Sequence, residues 1–181
     1  MHPCSQINWG AIIDRAQTEV RAVGFALMKI ADAERTLLVA KIKDSDLRVV
    51  LILNNPLAET ARTRARDEDG NDLAPADIAK ISLRLLESRD HLKTFRKEKR
   101  LVVKHVDRYP TIAVVIVDED LYAYFYPFGR LATNSPILVF RDYKRDELAT
   151  FFSNHLDELE AVAKEPSAAG LRQFLADRSP R

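Results

Sequence analysis

The sequence has little cysteine and little glycine, and these shortages exclude several kinds of site. Cys4 is the only cysteine among 181 residues, so the chain forms no internal disulfide and has no cysteine-rich metal site. Five glycines leave no glycine-rich cradle, and the G-x-x-x-x-G-K-[ST] phosphate loop is absent. The four histidines lie far apart, with no i, i+4 pair to hold a metal ion. We therefore expect neither a metal nor a cofactor.

Long apolar runs and an excess of one charge are also missing. The longest apolar stretches, residues 49–53 and 112–117, are strand-sized and far shorter than the ~20 residues of a membrane span. The first ten residues lack the basic and then apolar pattern of a signal peptide. The net charge is +1, so no overall field draws the chain to nucleic acid or to a membrane. These features predict a cytoplasmic protein without a membrane partner.

The sequence does contain alternating helix and strand patterns. Residues 47–53 are almost all Val, Leu and Ile, as in a central strand covered on both faces. Apolar residues at spacings of three, four and seven predict one long helix over residues 75–99. Residues 111–117 and 121–126 predict an antiparallel hairpin. The whole order predicts an α/β fold with a mixed sheet, mostly parallel in its N-terminal part, an antiparallel hairpin extension and helices on both faces.

The C-terminal boundary of this domain is set by a proline. An amphipathic helix begins after Asp146, and Pro166 ends its pattern. We therefore expect one domain over residues 1–165, followed by residues 166–181 as a tail or a short helix.

Histidine and asparagine side chains at predicted strand ends are the first candidates for a site. His105 ends an interior strand, where ligand clefts of α/β sheets open, and Asp107 points to the same side of that strand. The pair would suit acid–base chemistry near neutral pH, or it is part of a surface ion network. Asn54 and Asn55 close the central strand and either offer amides to a ligand or cap a turn.

Two further groups of residues have a functional and a structural interpretation. The aromatic residues around the hairpin would serve base stacking or a dimer interface, or they form the core and its rim: Tyr122, Tyr124, Phe125, Tyr126 and Phe128. The polar side of the long helix is basic and would bind nucleic acid, or it is a solvated face: Arg89, Lys93, Arg96, Lys97, Lys99 and Arg100. Arg62, Arg64 and Arg66 would add to that nucleic-acid surface.

Several segments together resemble a known family. They are Ile7-Asn8-Trp9 before a helix and Val23-Gly24-Phe25, residues 49–56, residues 102–107, Tyr109-Pro110 with the strand ending at Asp118, residues 124–129, Ser135-Pro136, and Phe151-Phe152. This pattern is similar to the degenerate phospholipase-D-like domains of bacteria, and it covers most of residues 7–162.

The resemblance implies a phospholipase-D-like half-unit that has lost its catalytic motif. Active members carry H-x-K-x-x-x-x-D before the hairpin. If Asp118 matches the aspartate, Thr111 takes the histidine position and Ala113 the lysine position. Neither side chain serves the family's phosphodiester chemistry, so the resemblance favours a protein that is not an enzyme. It also implies a homodimer, because active members join two half-units. A ligand in the remnant cleft is expected to contact Asn54, Asn55, Thr111 and Ser135.

Three functions follow as hypotheses. The first is a non-catalytic sensor or interaction module of bacterial signalling, stress response or defence, which binds a phosphate-bearing ligand or a protein partner. The second is a divergent phosphodiesterase or nuclease that uses His105 with Asp107 or Asp118. The third is a nucleic-acid-binding module that acts through Arg89, Lys93, Arg96, Lys97 and Arg100 of the long helix.

Overall fold

A computed structural model describes residues 2–3, 6–67, 74–87, 89–108, 111–126 and 135–178. Its sheet has seven strands: β1 (His2–Pro3), β2 (Glu19–Gly24), β3 (Arg48–Asn54), β4 (Leu101–Val106), β5 (Ile112–Val117), β6 (Asp120–Phe125) and β7 (Pro136–Phe140). The helices are α1 (Trp9–Arg15), α2 (Arg35–Asp44), α3 (Glu59–Asp67), α4 (Ala74–Glu87), α5 (Arg89–Lys97), α6 (Glu147–Val162) and α7 (Ala168–Ala176). A π-helical turn (Met28–Ala33) and a 3₁₀ turn (Tyr143–Arg145) precede α2 and α6.

The sheet is mixed, in the order β1-β7-β6-β5-β2-β3-β4. Strands β2, β3 and β4 are parallel, whereas β5, β6 and β7 extend the sheet antiparallel from the other side of β2. The prediction of a mixed α/β sheet with a parallel N-terminal part and an antiparallel extension is therefore confirmed. The two-residue strand β1, which pairs with the outer edge of β7, was not predicted.

The core has two layers, one on each face of the sheet. On one face, α1, α2, α4 and α5 cover residues such as Val49, Leu51 and Leu101. On the other face, α6 covers residues such as Val50, Ile52 and Ile116 through Phe152, Leu156 and Leu159. Strand β3 is buried on both faces because every residue from Val49 to Asn54 is covered, as its continuous apolar run predicts.

The predicted helix over residues 75–99 is present as α4 and α5, which the structure describes on either side of residue 88. The apolar stripe of the two segments is buried against the core at Ile78, Ile81, Leu85, Leu92 and Phe95, as its spacing predicts. Two residues after the end of α5, Lys99 has a left-handed backbone with a φ of 59°. The amides of Arg100 and Lys99 bond back to the carbonyls of Phe95 and Arg96, which turns the chain into β4.

The C-terminal segment contains the short helix α7 (Ala168–Ala176). Ser167 is the N-cap of α7 and accepts a hydrogen bond from the Gly170 amide. Leu171 is buried, and Arg172 pairs with Glu87 of α4 at 2.7 Å. The segment between α6 and α7, residues 163–167, which we call the connector, runs beside the end of β4.

Candidate nucleic-acid interface

His105 is a buried histidine at the carboxyl end of β4, and only 6% of its surface is exposed. Its Nε2 shares a hydrogen bond of 2.8 Å with the Ser82 hydroxyl of α4. Burial lowers the pKa of His105 to about 4, although the negative charge of Asp107 acts in the opposite direction. The imidazole is therefore neutral at neutral pH.

The end of β3 is tied to the turn after β4 by the two asparagines. Asn55 donates a hydrogen bond from Nδ2 to Asp107 Oδ1 at 2.7 Å. Asn54 donates from Nδ2 to the Arg108 carbonyl at 2.8 Å. The structure thus brings His105, Asp107 and Asn55 to one cleft of about 310 Å³. The amides of both asparagines are used in holding this end of the sheet together.

Asp118 lies at the opposite end of the sheet from His105. Its carboxylate accepts hydrogen bonds from the amides of Gln17, Thr18 and Glu19 at 2.9, 2.9 and 3.0 Å, and from the Thr18 hydroxyl at 2.7 Å. Partial burial raises the pKa of Asp118, but the hydrogen bonds from Glu19, Thr18 and Gln17 outweigh it and lower the pKa overall. Two strands, β2 and β3, lie between β5 and β4, and the two residues lie at opposite ends of the sheet, so the distance between Asp118 and His105 is on the order of 20 Å. The structure does not bring this pair together.

Thr111 and Ser135 lie where the strands of the hairpin region begin and end. The Thr111 carbonyl accepts a hydrogen bond from the Tyr126 amide at 3.0 Å. The Ser135 hydroxyl donates to the Phe125 carbonyl at 2.7 Å, and the side chain is buried. These contacts fasten the base of the hairpin, and neither residue lines the cleft beside His105.

The aromatic residues of the hairpin belong largely to the core. Tyr122 is buried and packs edge-on against Trp9, with ring centroids 5.5 Å apart. Tyr124 is also buried and packs against Tyr126 at 5.9 Å. Phe125 is 46% exposed and faces α6. Phe128 lies outside the described residues.

A groove beside the outer edge of β4 gathers basic side chains from four segments. It has a volume of about 510 Å³, and residues 101–103 form its floor. We call it the basic groove and define it by six cations and two carboxylates: Arg48, Lys93, Arg96, Lys97, Lys99, Lys104, Glu160 and Glu165. Subtracting the two carboxylates from the six cations leaves a local charge of +4. The near-neutral overall composition conceals this local excess.

The two cations at the α6 side of the basic groove are neutralised. Arg48 pairs closely with Glu19 and lies 3.9 Å from Glu160. Lys104 lies 3.8 Å from the Glu160 carboxylate and donates to the Glu160 carbonyl at 3.1 Å. This side of the groove is therefore a satisfied ion network.

The four cations at the α5 side differ from these two. Within the described residues, no carboxylate lies within 4 Å of the four side chains Lys93, Arg96, Lys97 and Lys99. The three lysines are exposed and Arg96 is half-buried. Because α5 and the turn after it follow one side of the groove, these charges form a continuous positive wall. Such a wall attracts polyanions.

The other arginines expected at a nucleic-acid surface serve the fold. The Arg100 guanidinium binds the carbonyls of Ile42 and Ser45 closely and lies 5.2 Å from the centre of the Phe95 ring. Arg62 and Arg66 pair with Glu59 of their own helix. Arg64 is buried against the Tyr126 ring. The Arg89 side chain lies outside the described part of the structure.

Sequence reasoning missed Arg48 and Lys104 as members of this groove. Both come from strands that are distant in sequence from α5, and only the pairing of β3 with β4 brings them to it. Their alternation with apolar residues indicates a solvent-facing position on a strand, but it gives no indication of what lies opposite. In the described ranges, no three His, Cys, Asp or Glu side chains are grouped to hold a metal ion. No described helix has the length and apolar character needed to cross a membrane.

Comparisons with known proteins show a similarity of fold but no match to a protein family or to a curated protein. Among solved structures, the chain is similar to TrmBL2, an archaeal chromatin protein whose structure shows a novel mode of DNA binding, with a TM-score of 0.59 and 15% identity. The similarity covers 92% of this chain and 53% of TrmBL2, so the chain spans about half the length of that protein. At this identity the likeness establishes a shared fold.

This likeness corrects the main functional expectation from the sequence. We expected a non-catalytic phospholipase-D-like sensor of a phosphate-bearing ligand or a protein partner. A solved protein with the shared fold instead binds DNA, which contradicts the sensor interpretation and favours the nucleic-acid-binding alternative. Membership of the phospholipase-D-like family remains a prediction. What the comparison establishes is that this chain has the fold found in a DNA-binding chromatin protein.

Proposed function

We propose that the protein binds the phosphate backbone of nucleic acid through the basic groove. The observation that carries this proposal is the wall of four cations on α5 and its C-terminal turn, for which the described residues provide no carboxylate partner. Phosphate contacts by Lys and Arg release condensed counterions and supply most of the affinity of non-specific binding. A local excess of +4 suits such contacts although the whole chain has a net charge of +1.

The lining of the groove favours contacts with phosphates rather than with bases. Its uncharged residues are aliphatic or proline: Leu86, Leu101, Val102, Val103 and Pro166. The nearby Phe95 is only 8% exposed and lies against Arg100, so it offers no face for base stacking. Binding without stacking or base-edge contacts is independent of sequence, and we expect Kd values of about 10⁻⁴–10⁻⁶ M at physiological salt.

The likeness to TrmBL2 supports this proposal only at the level of the fold. TrmBL2 is a DNA-binding chromatin protein, and the shared fold covers 53% of it. Since this chain spans about half of that protein, a role in chromatin does not carry over with the fold. The proposal therefore concerns binding to the phosphate backbone and depends on this chain's own cations.

A charge-reversal pair tests the groove directly. We expect Lys97→Glu to weaken binding of a fluorescein-labelled DNA duplex by roughly tenfold at low salt, because it removes one phosphate contact and adds a repulsive charge. The matched control is Lys144→Glu, which makes the same charge change at an exposed lysine of the 3₁₀ turn before α6. That turn lies at the opposite end of α6, about 24 Å from the groove. Equal effects of the two variants on anisotropy titrations would reject the groove as the binding site.

The homodimer that the phospholipase-D-like resemblance implies is a separate proposal. The chain offers apolar surface for it on α6 and β6, where Phe151 is 61% exposed and Leu148 is 52% exposed. Light scattering on the purified chain would give a molar mass of twice 20.6 kDa for a homodimer. A single-chain mass at high protein concentration would reject it.

A further inference from the structure

The carboxylate of Glu160, near the end of α6, lies on the α6 side of the basic groove. Its Oε1 is 3.8 Å from Lys104 Nζ and 3.9 Å from Arg48 Nη2, so one oxygen stands between cations from the two neighbouring strands β3 and β4. Its Oε2 accepts a hydrogen bond of 2.8 Å from Arg21 Nη2. The Glu160 side chain is 19% exposed and is part of the groove lining.

This arrangement places an anionic oxygen where a phosphate oxygen of a bound polyanion would lie. Lysine and arginine recognise carboxylate and phosphate oxygens with the same donors. Neither contact from Oε1 is as short as a hydrogen bond, so Glu160 balances the charges of Arg48 and Lys104 without binding all of their N–H groups. The two cations therefore form a phosphate-binding pair whose place is taken by an anion of the protein itself.

Contacts outside the groove hold Glu160 in this position. Arg21 of β2 binds the Glu160 carboxylate and also pairs closely with Asp157, one turn earlier on α6. The Glu160 carbonyl accepts a hydrogen bond of 3.1 Å from Lys104. Apolar side chains pack the same helix onto the sheet: Phe152, Leu156 and Leu159. A polyanion that reaches Arg48 and Lys104 must therefore displace a fixed carboxylate or lie beside it, and either is unfavourable.

We propose that Glu160 is an internal counter-anion that closes the α6 side of the basic groove to nucleic acid. The bound phosphates are then confined to the four cations on the α5 side. This inference rests on the proposed function, because it sets a boundary for binding in the same groove. Removal of the Glu160 charge should lengthen the contact, since Lys104 then becomes available to a phosphate. Arg48 should contribute less, because it keeps its close pair with Glu19.

The test is Glu160→Gln in the full chain, measured by the salt dependence of binding to a fluorescein-labelled DNA duplex. Glutamine has nearly the same size, and its carbonyl oxygen still accepts a hydrogen bond from Arg21, but it has no charge. Each additional phosphate contact steepens the slope of log Kobs against log salt by about 0.9. We expect the slope to steepen by about 1–2 and the affinity at low salt to rise roughly tenfold.

Two control variants separate the release of groove cations from other effects of this change. Glu165→Gln removes the same charge from the connector, where no cation of the described residues lies within 4 Å of the carboxylate. It should leave the slope unchanged and raise the affinity only about twofold, through weaker long-range repulsion of phosphates. Asp157→Asn removes the other carboxylate from Arg21, outside the groove, and should change neither quantity. Addition of Lys104→Gln to Glu160→Gln should return the slope towards the wild-type value.

A measurement on the wild type does not depend on how well the variant folds. On addition of the DNA duplex, the ¹⁵N signal of the Lys97 ammonium should shift, whereas that of Lys104 should stay in place. A shift at Lys104 as large as the shift at Lys97 would show that phosphates reach the α6 side and would overturn the inference.

The outcomes distinguish this inference from the proposed function. If the wild type binds DNA and Glu160→Gln has the same slope, matches Glu165→Gln or binds more weakly, the counter-anion is rejected and nucleic-acid binding stands. Binding by Glu160→Gln alone would support the counter-anion and reject the proposed function of the wild type. The absence of binding by both proteins would reject both.

Discussion

The buried imidazole of His105 makes the stability of the protein depend on pH. Its pKa of about 4 lies below the ordinary value of 6.5, so the unfolded chain takes up a proton that the folded chain excludes. The stabilisation that it provides is complete above about pH 6.5 and is lost as the pH falls towards about 4, by about 3 kcal/mol in total. We expect urea unfolding of His105→Gln to show a shallower loss between these pH values. A parallel loss in both proteins would contradict this assignment.

Asp118 is a structural carboxylate, and its replacement should reduce stability without changing ligand binding. It accepts four hydrogen bonds from residues 17–19 and has a left-handed backbone with a φ of 52°. We expect Asp118→Ala to lower the free energy of unfolding by about 2–3 kcal/mol and Asp118→Asn by about 1 kcal/mol, since asparagine accepts hydrogen bonds and tolerates this backbone. Denaturant unfolding measures both values. An alanine variant as stable as the wild type would refute this role.

The sequence predicts residue positions well where they depend on local geometry. His105 and Asp107 point to one side of a strand, and the structure places both at one cleft. The grouping of Asp118 with His105 needed the pairing of β5 with β2, which no local pattern reports. The hydroxyl partner of His105, Ser82, comes from the middle of α4, where serine gives no signal of its neighbour.

At the scale of elements, the backbone just after α5 is strained at Lys99, and a substitution can relieve this strain. Lys99 has a φ of 59° at the position where helices usually place glycine. We expect Lys99→Gly to raise the free energy of unfolding by about 1 kcal/mol, because glycine adopts this backbone without the Cβ penalty. Lys97→Gly, which also removes one groove cation, should lower it by about 1 kcal/mol because residue 97 is helical. Thermal unfolding of the two variants checks the opposite signs, and shifts of the same sign would contradict the strain.

Most elements could be predicted because each has its own apolar period. The continuous run of β3, the hairpin of β5 and β6 and the cap of α6 at Asp146 are all present in the structure. The helical pattern of α4 and α5 could be predicted because Leu85 and Leu92 remain in phase across residue 88. The strand β1 was missed because two residues are too few to show a period.

At the scale of the whole molecule, the distribution of charge determines the proposed function. A net charge of +1 predicts no attraction to polyanions, yet the fold places a local charge of +4 at one groove. Lys93, Arg96 and Lys97 could be predicted from the helix, but Arg48 and Lys104 reach the groove through the pairing of β3 with β4. Strand pairing is non-local, so the sequence predicted part of the groove and not its whole outline.

The salt dependence of binding to a labelled DNA duplex tests the central claim most directly. If all four cations at the α5 side contact phosphates, log Kobs should fall with log salt at a slope of about −3.6, and affinity should fall roughly 100-fold between about 50 and 200 mM salt. Lys97→Glu should make this slope shallower by about 1. Failure to bind at low salt, or an affinity that salt does not change, would contradict a phosphate-binding groove.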